Sequence, residues 1–167
     1  MLKKIALLML VCALPIGAMA QKFCHLNSQE IITVMPEYTK AIADLNAMHK
    51  QYQEELLRSQ EEFNRKLQEF QQQADSLPKN IAERRQKELQ DMAQRQEQFQ
   101  QEASQNMEKA NQEAMTPILQ KLDAAIEAVG KAEGAIYVFD LGRTQIAYVG
   151  PTSVDITAKV KTQLGVQ

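Results

Sequence analysis

The chain is poor in the residues on which most enzyme sites are built. Only two of its 167 residues are histidine, His25 and His49, and only six are glycine. Neither histidine has a second ligand at metal-binding spacing. So few glycines leave no glycine-rich phosphate loop and no nucleophile elbow. Carboxylates are plentiful, but they are spread over Gln- and Lys-rich stretches with no pair in an apolar setting, which marks solvated helix faces. The composition therefore predicts no catalytic site, no cofactor and no metal.

Cysteine is equally scarce. Cys12 falls in the leader described next, so Cys24 stands alone and no intramolecular disulfide can form. In Phe23-Cys24-His25-Leu26 it reads as a small buried strand residue rather than as a reactive thiol. Long hydrophobic runs are also lacking, apart from Ile5 to Leu14, which is too short to span a bilayer. Lys3 and Lys4 before it and Ala18-Met19-Ala20 after it complete a secretory signal with cleavage before Gln21. A lipoprotein signal through Cys12 is the alternative, but Val11 is bulky where a small residue is wanted. Removing Lys3 and Lys4 from the 19 basic residues leaves 17 against 21 acidic ones, a net charge of −4. A nucleic-acid binder would carry a basic surface, so nucleic acid is not an expected partner.

What the chain has is helix. From Pro36 to Val129 the pattern is almost continuously helical and is interrupted once, at Leu77-Pro78, where the residue before proline is pushed out of the α region. In the first limb Ile42, His49, Leu56, Phe63, Phe70 and Leu77 recur every seven residues, with Tyr38, Leu45 and Tyr52 interleaved. So narrow a stripe predicts a coiled-coil seam. The second limb carries Ile81, Leu89, Met92, Phe99, Ala103 and Ala110, then Ile118, Leu122, Ile126 and Val129, with Pro117 expected to kink or break it. The two limbs fold back near 77–79 into an antiparallel hairpin, an arm over residues 36–129.

The flanks read differently. Residues 21–35 predict a short strand, Lys22 to Asn27, and a short helix opened by Ser28. Residues 130–167 predict a β-hairpin, Ala135–Phe139 with Gln145–Val149, followed by a helix capped by Asp155. The pieces at 22–35 and 131–167 amount to 51 residues, too few for a comfortable core and with open sheet edges. Self-association covers edges and enlarges the core together, so this α+β chain is expected to carry an oligomerisation body. The candidate residues of this body are Phe23, Leu26, Ile136, Val138, Ile146 and Tyr148.

The order and spacing of Ser28-Gln29-Glu30-Ile31-Ile32, Met35-Pro36-Glu37-Tyr38, Thr116-Pro117-Ile118, the Ala135 to Val149 stretch and Val154-Asp155-Ile156-Thr157 resemble the Skp/OmpH family of periplasmic chaperones over essentially the whole mature chain. The resemblance implies a jellyfish-like homotrimer in the periplasm. Its small β body would carry three helical arms around a cavity that takes unfolded outer-membrane proteins without ATP. Members of that family are often strongly basic, whereas this chain is mildly acidic. Lys79, Arg84, Arg85 and Lys87 give the tip a local positive excess, which leaves room for transient contact with a membrane surface but assigns no lipid site. Together with the flexible Met48, Met92, Met107 and Met115 they are the client-contact candidates. The competing reading is a structural coiled-coil spacer or adaptor of the cell envelope.

Overall fold

The computed structural model describes residues 21–166; the expected leader, 1–20, lies outside the described residues. The chain forms β1 (Lys22–Leu26), α1 (Ser28–Ile32), α2 (Pro36–Gln73), α3 (Lys79–Ala132), β2 (Ala135–Asp140), β3 (Val154–Asp155) and α4 (Thr157–Leu164). Contacts divide it into two units. One takes the described residues up to Ile31 together with Ala124–Gly165, and the other is Ile32–Asp123. No described helix is long and apolar enough to cross a membrane.

The first unit is built on a three-stranded sheet in the order β2-β1-β3, with both pairings parallel. A parallel neighbour requires a crossover, and the crossover between β1 and β2 is the whole of α1, α2 and α3. Cys24 and Leu26 point to one face of the sheet and are fully buried. Ile31, Ala125, Val129, Ile156 and Val160 complete the core of this unit. Each large aliphatic side chain so buried contributes about 1.5–3 kcal/mol of transfer free energy. A Cβ on Gly130 would stand 3.0 Å from Val138 Cγ2, so the end of α3 lies tight against β2. Gly134, at φ 66°, supplies the left-handed residue between them.

The predicted β-hairpin is corrected by the structure. Gln145–Val149 forms no strand, and the third strand is Val154–Asp155 on the far side of β1. The cause is the corner that follows β2. Leu141 N donates to Leu26 O at 2.8 Å, which carries β2 to the very end of β1. The Asp140 carboxylate then accepts from Ser28 N at 3.1 Å and Gly142 N at 2.9 Å. Gly142 fits this corner because a Cβ there would come within 2.8 Å of Asn27 Oδ1. The chain is thus pinned to the start of α1 and cannot turn back along the free edge of β2. α1 begins at Ser28 as expected, with its cap bonds supplied by the residue before it. Asn27 Oδ1, not Ser28, accepts from the Gln29 and Glu30 amides, and Asn27 Nδ2 donates to Glu30. Asp155, expected to cap α4, ends β3 instead, and the N-cap position is Ile156; Asp155 accepts from Thr157 N at 2.8 Å from just before it.

The second unit is a helical hairpin. Its cross-helix partners are nested about the turn: Lys66 with Glu88, Gln60 with Gln96, Tyr52 with Phe99 and Glu37 with Lys121. The turn is earlier than predicted, since α2 stops at Gln73. Its last carbonyl accepts from Ser76 N at 2.9 Å and Leu77 N at 3.1 Å, and Pro78 O opens α3 by accepting from Ile81 N at 2.8 Å.

The seam is also revised. Ile42 and His49 are exposed, while Ala41, Leu45 and Met48 are turned inward with Tyr52, Leu56, Phe63 and Phe70. A strict seven-residue step drifts about 20° per heptad around a straight helix, so Ile42 and Phe70 stand about 80° apart and cannot share one seam. Three- and four-residue steps keep the inward row together instead. In α3, Leu89, Met92, Ala103, Ile118 and Leu122 are buried. The helix runs unbroken through Pro117, where Thr116 Oγ1 donates to Gln112 O at 2.6 Å.

Glu133 ties the first unit together, bonding Lys22 of β1 at 2.7 Å and Lys159 of α4. Lys159 and then Lys22 hold its carboxyl at about 2, below the ordinary 4.5, with partial desolvation acting the other way. Because the folded value is depressed, the contribution to stability is present above the ordinary value and disappears as pH falls from about 4.5 towards 2. Glu133→Gln is therefore expected to melt below the wild type at pH 6 and to converge with it near pH 2. A gap between the two melting temperatures that does not shrink on acidification would contradict the role given to this carboxylate.

Candidate functional site

Two surfaces remain once the cores are assigned. The first is the face of the sheet opposite Cys24 and Leu26. The register sets Phe23 beside Tyr137 and His25 beside Phe139, so aromatic side chains fall on one side by strand alternation. Phe23 stacks on Tyr137 with centroids 6.4 Å apart, and Phe139 lies 6.2 Å from both rings. All three remain exposed, Tyr137 at 62%.

A register shift between Lys22 and Phe23 inserts Ile136 as an extra residue in β2. Such a bulge breaks the alternation, and Ile136 and Tyr137 are consequently exposed one after the other, at 51% and 62%. The stretch that fails to become a strand adds Ile146 and Tyr148, the latter 78% exposed. With Phe23, His25, Phe139 and Leu141 they line an open cleft of about 280 Å³.

His25 lies in this cleft with its Nδ1 2.8 Å from Ser153 Oγ. Asp155 is its register partner on β3, so a serine, a histidine and an aspartate meet here. The Asp155 carboxylate is committed to Thr157, accepting from its amide and from its hydroxyl at 2.6 Å. Burial opposes the charged form of Asp155, and the Thr157 hydroxyl and amide bonds outweigh it, so its acidity is increased. Ser153 sits in a turn, its amide donating to Gly150 O at 3.0 Å.

Of the residues assigned to the body, Phe23, Ile136, Ile146 and Tyr148 belong to this open face, Val138 is half-buried, and Leu26 is fully buried in the core of the unit.

The second surface is the hairpin. Met92 is buried in the seam, and Met48, Met107 and Met115 are half-buried. Lys79, Arg84, Arg85 and Lys87 are exposed near the turn. Lys79 stands 4.0 Å from Glu83, and Glu88 is engaged across the helices by Lys66. The hydrogen bond from Lys66, then its charge, keeps the Glu88 carboxyl below the usual range, with Arg85 and Arg84 adding to the effect. The Lys121 ammonium does the same to Glu37. Leu57, 61% exposed, was not singled out by the sequence reading because it lies off the heptad stripe. Its only signal was an apolar residue next to Leu56.

A family model described as outer membrane protein (OmpH-like) matches residues 22–164. Among solved structures, the chain is similar to a Caulobacter crescentus CB15 protein provisionally designated an OmpH-like outer membrane chaperone. The TM-score is 0.72 at 20% identity, over 89% of this chain and 86% of that one. No curated protein matches it in sequence.

The edge-to-face pair Tyr52–Phe99, centroids 5.8 Å apart at 66°, makes the hairpin testable. Phe99→Ala is expected to destabilise the hairpin by about 2–3 kcal/mol. Adding Tyr52→Ala should cost less than the separate effects combined, by about 1 kcal/mol. Full additivity in a thermal unfolding cycle followed by helical circular dichroism would place the two rings apart.

Proposed function

Since the chain belongs to the OmpH-like family of outer membrane proteins, we propose that it is an ATP-independent holdase chaperone of the periplasm that keeps unfolded outer-membrane β-barrel proteins from aggregating. The observation that carries this reading is the pairing of a long amphipathic hairpin with an aromatic sheet face that its own chain leaves exposed. On this reading the aromatic face assembles three copies, and the three hairpins surround the client.

An unfolded barrel exposes apolar segments and unpaired backbone groups. Many weak contacts on several arms hold such a chain by effective concentration without fixing one geometry. Release then needs no fuel, because a folded barrel no longer offers the segments that were held. The half-buried Met48, Met107 and Met115 and the exposed Lys79, Arg84, Arg85 and Lys87 remain contact candidates. Met92 would reach a client only if the helices parted. The exported location follows from the leader read at residues 1–20.

The mature protein, mixed at three subunits per client, is expected to keep a urea-diluted outer-membrane β-barrel in solution. Failure with every such client would favour the spacer or adaptor reading. Ile136→Asp is expected to lower the mass in light scattering to that of one chain while helicity is retained, because Ile136 is already exposed in the single chain. Arg84→Glu should leave the mass unchanged. Equal loss in both would refute the assignment of assembly to the sheet face.

A further inference from the structure

At the middle of the hairpin the two flanks of the seam differ in chemistry. With about 100° between successive residues, Glu55 and Glu62 fall on one side of the Leu56–Phe63 row and Leu57 and Gln60 on the other. In α3, Arg95 and Ala93 are divided in the same way about Met92 and Gln96. The first flank is a groove lined by the charged Glu55, Glu62, Lys66 and Arg95, with Met92 and Phe99 beside them. Lys66 stands 3.8 Å from Glu62 and bonds Glu88, and Glu55 stands 3.2 Å from Arg58.

The second flank is an open groove of about 560 Å³. Leu56, Leu57 and Phe63 line it from α2, and Ala93, Gln96 and Gln100 from α3. Leu57 is 61% exposed, and Phe63 and Leu56 are half-buried beside it. Gln96 Nε2 donates to Gln60 Oε1 at 2.8 Å across the helices, and Glu97 is the only charged residue lining the groove. An isolated exposed leucine needs no explanation, whereas Leu57 continues an apolar row with Leu56, Phe63 and Ala93 along a groove between two helices, which marks a contact surface.

We propose that this Leu57 flank, and not the charged flank behind it, is the face of the arm that holds an apolar side chain of an extended, unfolded polypeptide. The proposal rests on the holdase reading above and adds to it which side of the hairpin meets the client and through what chemistry. The groove is shallow and lacks converging charges, which suits neither a small ionic ligand nor a metal. Apart from Glu97, its polar members are primary amides, each with two donor hydrogens and a carbonyl acceptor. An extended chain carries the complementary need at every residue, an unpaired N–H and an unpaired C=O. The hairpin is rich in this group, with 17 of the protein's 22 glutamines between Pro36 and Ala132. Apolar contact at Leu57 with neutral amides around it recognises backbone and aliphatic side chains without asking for client charge, which fits an arm that is not basic.

The test places a benzophenone amino acid at position 57 or at position 55 of the mature protein, with a urea-diluted, fluorescently labelled outer-membrane β-barrel as client. Light is expected to couple the client at position 57 about five- to tenfold more than at position 55. Leu57→Gln should weaken client retention about three- to tenfold, the size expected when one aliphatic side chain leaves a partly buried contact. Helicity and oligomer mass should stay unchanged, since Leu57 is outside the seam. Equal coupling at the two positions, retention unaffected by Leu57→Gln, or coupling at position 57 only to a second copy of the chain each overturns the proposal while leaving the holdase reading standing. A wild-type protein that retains no client overturns both.

Discussion

A three-stranded sheet needs a layer on each face, and the described residues provide only one. Cys24, Leu26, Ile31, Val129, Ile156 and Val160 close the inner face, and among the described residues Phe23, Tyr137 and Phe139 on the other stay exposed. The bulge at Ile136 adds a further exposed aliphatic, and Ile146 and Tyr148 lie beside the same face without roofing it. β2 also keeps one unpaired edge, because Asp140 and Gly142 direct the chain to the start of α1. So small a unit with an open edge and an aromatic face is completed most economically by further copies of itself. The proposed assembly follows from that deficit.

The parallel register of β1 with β2 places a condition on everything between them. A crossover could be a single helix, and here it contains two long helices paired with each other. The return is held by distributed contacts rather than by one anchor: an apolar row of mixed three- and four-residue steps, an aromatic pair at mid-length, and cross-helix ion pairs at Lys66–Glu88 and Lys121–Glu37. Exposed pairs of this kind contribute little each, so the apolar row sets the stability of the hairpin and the charges help to set its register. The row also decides which side chains are left over, and Leu57 is one of them.

Much of this was legible in the sequence, for reasons that differ by element. Pro78 and the apolar periodicity revealed the doubling back, since proline and helical amphipathicity act locally. The stripe of α3 was read correctly from Leu89 to Val129. The heptad chosen for α2 failed at Ile42 and His49 because a seven-residue ladder ignores the drift of a straight helix. The β-hairpin failed for a different reason. Gln145–Val149 has strand composition, but its fate is set by Asp140 reaching the Ser28 amide more than a hundred residues away, which no local pattern encodes. Leu26 was grouped with Phe23 in the body, and strand alternation alone could not say that Leu26 faces the core and Phe23 the open side. The exposed aromatics became meaningful only when register placed Phe23 against Tyr137.

The central claim is that the outer face of the sheet and the free edge of β2 are completed by other copies of the chain. Amide hydrogen exchange on the purified mature protein at working concentration, read peptide by peptide, addresses it most directly. The account predicts slow exchange across residues 135–140 and 145–149, including the stretch that is coil in the single chain. Rapid exchange throughout 145–149, with β2 protected only on the side that faces β1, would contradict it.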